Sequence, residues 1–150
     1  MKNSRNSAPL RILFVAYPLL PVSEASCGGA EQILTVLERE MANRGCDTVV
    51  AACEGSQATG TLFSTGPAAT GPDQYPESEA EQSARIIGLL TSGQVRFDLV
   101  HDHSGSFWQH ADSIPVPVLA TLHLPRSFYP EQKFAHLPPN LFFNCVSESQ

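Results

Sequence analysis

The sequence predicts an α/β domain with a Rossmann-like, doubly wound parallel sheet. Several apolar runs show no alternation, as expected of strands that are covered on both faces. The first of these runs is followed by a well-patterned amphipathic helix, and further strand-like runs then alternate with helix or loop. A length of 150 residues is sufficient for one domain of this kind.

The first strand and the first helix carry the strongest patterns. Residues 10–16 form an apolar strand, and a long loop then leads to Gly28 and Gly29 at the predicted start of the helix. The stripe with helical spacing, which we expect to be buried, consists of Ala30, Ile33, Leu34, Leu37 and Met41. The opposite face, which we expect to be exposed, carries Glu31, Glu38, Arg39, Glu40 and Arg44, and Gly45 is expected to end the helix.

The remaining elements follow in order. We expect strands at residues 48–53, 61–64 (a brief edge strand), 97–101, 117–122 and 141–146. A second helix is predicted to begin at Ser78, which has capping-box spacing to Glu81, and to end near Gly93. Its predicted buried stripe is Ala80, Ala84, Ile87 and Leu90. Residues 107–111 are predicted to form a helix or turn, and residues 131–135 one helical turn.

The two ends of the chain lead to separate expectations. Residues 1–9 are predicted to be a disordered tail and residues 10–150 to be the domain. Ser147 and Gln150 again have capping-box spacing, so we interpret the chain as the N-terminal piece of a longer protein. The N-terminal basic and apolar residues loosely imitate a signal peptide, but Arg11 and two prolines interrupt that run.

Composition narrows the possible partners. A net charge of −6 with nine scattered basic residues argues against nucleic acid. The four cysteines show no C-x-x-C pairing, which favours reduced thiols in a cytoplasmic protein over a zinc site. No segment has the roughly 20 apolar residues of a membrane span, and peripheral contact with a membrane stays open.

The start of the first helix is a candidate anion site. The first helical N–H groups have no carbonyl partners, and Gly28 and Gly29 carry no Cβ atoms that would keep a phosphate away. The same glycine pair could simply allow a sharp turn into the helix. The sequence pattern leaves both interpretations open.

Further candidates lie directly after the strands, because ligands of open parallel sheets bind beyond the carboxyl ends. Tyr17, the segment from Asp102 to Gly105, His123 and Ser147 occupy such positions. His101 and His103 could bind a metal together with Asp102, but no further ligand is indicated by spacing. His123 suits a catalytic or sugar-binding role, although a structural histidine at a strand end is also compatible with the sequence. Nucleophile-elbow and P-loop motifs are absent from the sequence.

Taken together, these segments resemble the N-terminal domain of the retaining GT-B glycosyltransferases of family 4. The resemblance is carried in order by RILFVAYPLLP, GGAEQILTVLEREMANRGCDTVVAAC, FDLVHDHS, VLATLHLP and CVSESQ. Enzymes of this family transfer a hexose from a nucleotide-diphosphate sugar to an acceptor with retention of configuration, usually without a metal or another cofactor.

The resemblance also implies roles for individual residues. Gly28 and Gly29 would approach the donor pyrophosphate, and His123 would contact the transferred sugar. Tyr17, His101, His103 and Arg126 would belong to the acceptor side or to the cleft wall. The C-terminal donor domain of the family is absent from this sequence, so we expect the chain alone to be inactive and to bind donor weakly.

Two other functional classes are compatible with the sequence. A nicotinamide-binding domain of an oxidoreductase is suggested by the β-α-β unit and by Glu54 at the end of the second strand. Against this alternative, the tight G-x-G-x-x-G turn is missing. The other class is a non-catalytic α/β binding or assembly module.

Overall fold

The computed structural model describes residues 8–147 and shows six strands and two α-helices. The strands are β1 (Arg11–Val15), β2 (Asp47–Ala52), β3 (Thr61–Ser64), β4 (Leu99–Asp102), β5 (Val118–Leu122) and β6 (Leu141–Cys145). The helices are α1 (Gly29–Asn43) and α2 (Tyr75–Thr91). Short 3₁₀ segments cover Pro72–Gln74, Phe107–Ser113, Arg126–Phe128 and Glu131–Phe134. The predicted turns near residues 107–111 and 131–135 are therefore confirmed.

All six strands form one parallel sheet in the order β3-β2-β1-β4-β5-β6. The chain builds outward from β1 to β2 and β3 on one side, and then crosses to β4, β5 and β6 on the other side. The strand order therefore reverses between β1 and β4, which is the position where doubly wound sheets open a crevice. The predicted Rossmann-like parallel sheet is confirmed, and β3 lies at one edge as expected.

Both faces of the sheet are covered by apolar side chains. Alternate residues of β1 point to opposite sides, so that Leu13 and Val15 join one core while Ile12 and Phe14 join the other. The first core includes Ile86 and Leu90 of α2 and also Trp108, whereas the second includes Leu34 of α1. This two-sided burial explains why the strand sequences do not alternate between apolar and polar residues.

The exposed face predicted for α1 is wrong at two positions. Glu31 and Glu38 are buried, with 6% and 2% of their surfaces exposed. The Glu38 carboxylate accepts hydrogen bonds from Thr48 Oγ1 at 2.6 Å and from the backbone N–H groups of Thr59 and Gly60 at 3.0 and 2.8 Å. It therefore ties α1 to β2 and to the loop before β3. Gly45 ends this helix region with a φ of 87°, as predicted.

The start predicted for α2 is wrong, and its predicted buried face is right at Leu90 and in part at Ile87 but wrong at the two alanines. The helix begins at Tyr75, after a 3₁₀ turn, and Pro76 lies in its first turn, so Ser78 is not the cap. Ala80 and Ala84 are exposed, whereas Gln82 and Ser83 are buried beside Ile86 and Leu90. Gln82 Nε2 donates to the carbonyl of Ala16 beyond the end of β1. A polar side chain therefore occupies the buried face because it satisfies a backbone group that would otherwise have no partner.

Several expectations about the chain ends and membranes can be compared with the described residues only. The tail predicted at residues 1–9 and the capping box at Ser147 and Gln150 lie wholly or partly outside residues 8–147. No helix within that range is long and apolar enough to cross a membrane.

The four cysteines, Cys27, Cys46, Cys53 and Cys145, form no disulfide bonds.

We expect Glu38→Gln to lower the free energy of unfolding by about 1–3 kcal/mol at pH 7, because the amide cannot accept all three hydrogen bonds. Burial raises the pKa of Glu38, but the hydrogen bonds from Thr48, Gly60 and Thr59 outweigh burial and hold the pKa below its ordinary value of 4.5. The contribution of the ionised group is therefore present above pH 4.5 and is lost as the pH falls through the lower, folded-state pKa.

Urea unfolding of the wild type and of Glu38→Gln at pH 7 and pH 3.5 measures this effect. Glu40→Gln, an exposed substitution on the same helix, is the matched control and should change stability by less than about 0.5 kcal/mol. Equal stability of the two variants at pH 7 would contradict the proposed role of Glu38.

Candidate functional site

A cleft of about 650 Å³ lies at the point where the strand order reverses. Its walls come from the segments that follow β1, β4 and β5, from the first turn of α1 and from the start of α2. The polar side chains that line it are Tyr17, Glu31, Tyr75, His103, Ser104, Ser106, Gln109, His123 and Tyr129. The position and size of the cleft suit a small-molecule ligand.

Three histidines form a row beside this cleft. The rings of His101 and His103 lie 4.2 Å apart, and those of His103 and His123 lie 5.2 Å apart. His103 Nδ1 and His123 Nε2 form a hydrogen bond of 3.0 Å. His101 Nε2 lies 2.8 Å from Thr121 Oγ1, on the neighbouring strand. His103 and His123 therefore line the cleft, whereas His101 lies behind them.

Burial keeps these histidines neutral. It lowers the pKa of His101 to about 4, with a smaller contribution from the charge of His123. It lowers the pKa of His103 to about 2, with further contributions from His101 and His123. The pKa of His123 is also lowered by burial. At neutral pH each imidazole therefore offers one N–H donor and one acceptor nitrogen.

Asp102 organises the loop that carries His103 and Ser104. It is 1% exposed, and its carboxylate accepts hydrogen bonds of 2.7 Å from the N–H and Oγ of Ser104 and from the N–H of Trp108. Burial raises the pKa of Asp102 to about 6, although these hydrogen bonds act to lower it. The role of Asp102 is thus to shape the cleft wall from behind.

Two tyrosines that line the cleft, Tyr75 and Tyr129, were missed by the sequence reasoning. The Tyr129 hydroxyl accepts hydrogen bonds of 3.2 Å from the backbone N–H groups of His123 and Leu124, and so holds the segment after β5. The rings of Tyr17 and Tyr75 stack with centroids 5.2 Å apart. Neither Tyr75 nor Tyr129 directly follows a strand, so strand-end position gave no signal for either residue.

The start of α1 differs from the open anion site suggested by its glycines. Gly29 lines the cleft, but the carboxylate of Glu31 folds back over Gly28. A Cβ atom at position 28 would overlap Glu31 Oε2, whereas one at position 29 would meet nothing within 4 Å. An alanine at position 28 would therefore force the Glu31 carboxylate, the end of a flexible side chain, to move away. That carboxylate occupies the space in which the sequence suggested a phosphate.

The cleft is poor in positive charge. Among the residues that the structure describes, no lysine or arginine lines it, and Glu31 is its one carboxylate. Arg126 instead places its guanidinium 3.5 Å from the centre of the Phe134 ring. Glu54, on which the nicotinamide alternative depends, is exposed and does not line the cleft. No group of three or more potential ligands within residues 8–147 is arranged to hold a metal ion.

The fold and the cleft define a doubly wound α/β domain with a ligand crevice at its switch point. No protein-family model matches the chain, and comparison with curated proteins finds no match. Among solved structures, the chain is similar to AviGT4, a glycosyltransferase involved in avilamycin A biosynthesis, with a TM-score of 0.54 and 23% identity. The match covers 77% of this chain and 32% of that one, so this chain spans about a third of AviGT4. At this identity, the similarity concerns the fold.

We expect the free energy of unfolding to decrease as the pH falls from 6.5 toward 4. In that window the unfolded chain protonates His101 and His103, whose folded-state pKa values are about 4 and about 2, while the folded chain does not. Asp102 acts in the opposite sense between its ordinary pKa of 3.8 and about 6, because the folded chain binds its proton more tightly. The pKa of His123 is also lowered by burial, so this histidine acts in the same sense as His101 and His103, whereas burial raises the pKa of Glu79, which acts with Asp102. Three histidines against two carboxyl groups leave a net loss of stability.

Chemical unfolding at pH 7.0, 6.0 and 5.0 measures this dependence, and His101→Gln should make it shallower. An unchanged pH dependence in His101→Gln would show that this histidine is not held neutral by the fold.

Proposed function

We propose that this chain is the N-terminal, acceptor-side domain of a GT-B glycosyltransferase of family 4, which transfers a hexose from a nucleotide-diphosphate sugar with retention of configuration. The observation that carries the proposal is the cleft at the switch point. There the first turn of α1 with Gly29 faces a neutral histidine pair from the ends of β4 and β5. The similarity in fold to a glycosyltransferase supports this choice.

The chemistry of sugar transfer fits these groups. The leaving nucleoside diphosphate gains negative charge in the transition state, and preorganised donors in a water-poor cleft stabilise it. The backbone N–H of Gly29, at the positive end of the helix dipole, is one such donor. His123 would hydrogen-bond the transferred sugar, and His103 and Tyr17 would form the wall beside it. His101, which does not line the cleft, would support that wall through its contact with His103, whereas Arg126 packs on Phe134 outside the cleft.

The lack of positive charge in the cleft supports the idea that a second domain binds the diphosphate of the donor. A diphosphate needs cationic partners, and the described cleft residues include no lysine or arginine. A second domain would supply them, so the chain alone would bind donor weakly and would not turn it over. The proposal includes a cytoplasmic location, no metal or other cofactor, an acceptor that is not yet identified, and peripheral contact with a membrane as an option.

Replacement of His123 tests the proposed site. In the full-length protein we expect His123→Ala to lower turnover of a nucleotide-diphosphate hexose at least roughly tenfold, while the variant stays folded at the temperature of the assay. Hydrolysis of the donor, in which water takes the place of the acceptor, provides the readout and is measured over a panel of nucleotide-diphosphate hexoses. His136→Ala, an exposed histidine outside the cleft, is the control. Full activity of His123→Ala would remove this residue from the site.

Replacement of Glu31 tests where the diphosphate binds. Like charges a few ångströms apart repel by about 1–4 kcal/mol, so a phosphate at Gly28 and Gly29 must displace or oppose the Glu31 carboxylate. We therefore expect Glu31→Gln to tighten binding of inorganic pyrophosphate to the full-length protein roughly fivefold or more, measured by calorimetry. Glu40→Gln, near the far end of α1, should leave affinity unchanged. Equal affinities in the wild type and Glu31→Gln would place the diphosphate elsewhere.

The alternative of a non-catalytic binding module makes a different prediction. In that case His123→Ala and Gly28→Ala would both leave sugar transfer by the full-length protein intact.

A further inference from the structure

The contact between His103 and His123 constrains the protons of both rings. His103 is 1% exposed, and its ring lies between those of His101 and Phe14 on one side and His123 on the other. Its Nδ1 bonds His123 Nε2 at 3.0 Å. Because two neutral imidazoles meet through one nitrogen each, one of these nitrogens must carry the hydrogen and the other must accept it.

The remaining nitrogen of His103 indicates which arrangement is present. Its Nε2 is buried and has no hydrogen-bond partner among the described residues. A buried N–H donor without a partner is rarer than a buried acceptor without one. The hydrogen of His103 therefore belongs on Nδ1, where it is used in the bond to His123, and Nε2 is an acceptor.

His101 supports this arrangement from behind. The Thr121 hydroxyl donates its one hydrogen to Asn144 Oδ1 at 2.6 Å, so it accepts a hydrogen bond from His101 Nε2. The Nε2–H group of His101 is therefore already bonded to Thr121 within the sheet. The ring of His101 remains packed 4.2 Å from His103 and restricts that ring from turning over.

We propose that His103 is a positioning residue, which holds His123 as the Nδ1–H tautomer, so that His123 meets the oxygen of a ligand as a hydrogen-bond donor. His123 Nε2 accepts from His103, and a neutral His123 must then carry its own hydrogen on Nδ1. A donor at this position selects an oxygen with an available lone pair, such as a sugar hydroxyl or a phosphate oxygen. This inference deepens the proposed function and rests on it for the identity of the ligand.

The tautomer can be measured directly by ¹⁵N NMR of the protein labelled at histidine, with His123 assigned from a His123→Gln variant. We expect the wild-type spectrum to show His123 protonated on Nδ1. In His103→Leu, which removes the donor, the His123 signals should shift toward the Nε2–H form that predominates in free neutral histidine. In His103→Asn, whose amide can donate from nearly the same position as Nδ1, the wild-type pattern should be restored.

Kinetics of the full-length protein provide the second readout. We expect His103→Leu to lower kcat for donor hydrolysis roughly tenfold, as expected for loss of one oriented hydrogen bond, with a smaller change in KM. His103→Asn should recover most of this loss. A role of His103 in packing alone would instead favour leucine over asparagine at a site that is 1% exposed.

The outcomes separate this inference from the proposed function. His123 protonated on Nε2 in the wild type would overturn the inference even if no variant folds. A folded His103→Leu variant in which the tautomer of His123 is unchanged would also overturn the inference. If the tautomer is as expected but the full-length protein turns over no nucleotide sugar, the proposed function fails while the positioning of His123 by His103 stands.

Discussion

The position of β1 in the middle of the parallel sheet is the constraint on which the rest of the structure depends. β1 pairs with β2 on one side and with β4 on the other, so the chain must be built outward from it in both directions. The connections that follow β1 and β4 therefore diverge, and a crevice opens above the carboxyl ends of these strands. The start of α1 lies on one side of this crevice, and the residues after β4 and β5 lie on the other.

Buried polar groups then determine the shape of the crevice and the attachment of its walls. Glu38 and Asp102 are both almost fully buried carboxyl groups, yet their pKa values shift in opposite directions. The hydrogen bonds to Glu38 outweigh its desolvation, whereas those to Asp102 do not. Glu38 thus remains an ionised link between α1 and the β2–β3 loop, whereas Asp102 holds the β4 loop with a carboxyl group whose pKa burial raises to about 6.

The polarity of the crevice supports contact with a sugar more than with a free anion. Its histidines are neutral, its one carboxylate lies at the start of α1, and lysine and arginine are absent from its described lining. Neutral donors and acceptors pair well with hydroxyl groups, while the charge of a diphosphate calls for cations. Under the proposed function, this domain therefore orients the sugar and a second domain binds most of the diphosphate charge.

Local sequence pattern by itself determined the strands, the helix α1, the burial of both sheet faces and the presence of Tyr17, His103 and His123 near one rim. These features follow from side-chain periodicity and from the rule that ligands bind beyond the carboxyl ends of parallel strands. Only the tertiary structure decided that Glu31 covers Gly28, that Glu38 and Gln82 are buried, and that His103 bonds His123. Apart from the contact of Glu31 with Gly28, these contacts join residues that are far apart in the sequence. His103 and His123 are separated by 20 residues, and Ala16 and Gln82 by 66 residues. A polar residue at a helical or strand position looks exposed in the sequence until folding brings such a distant partner to it.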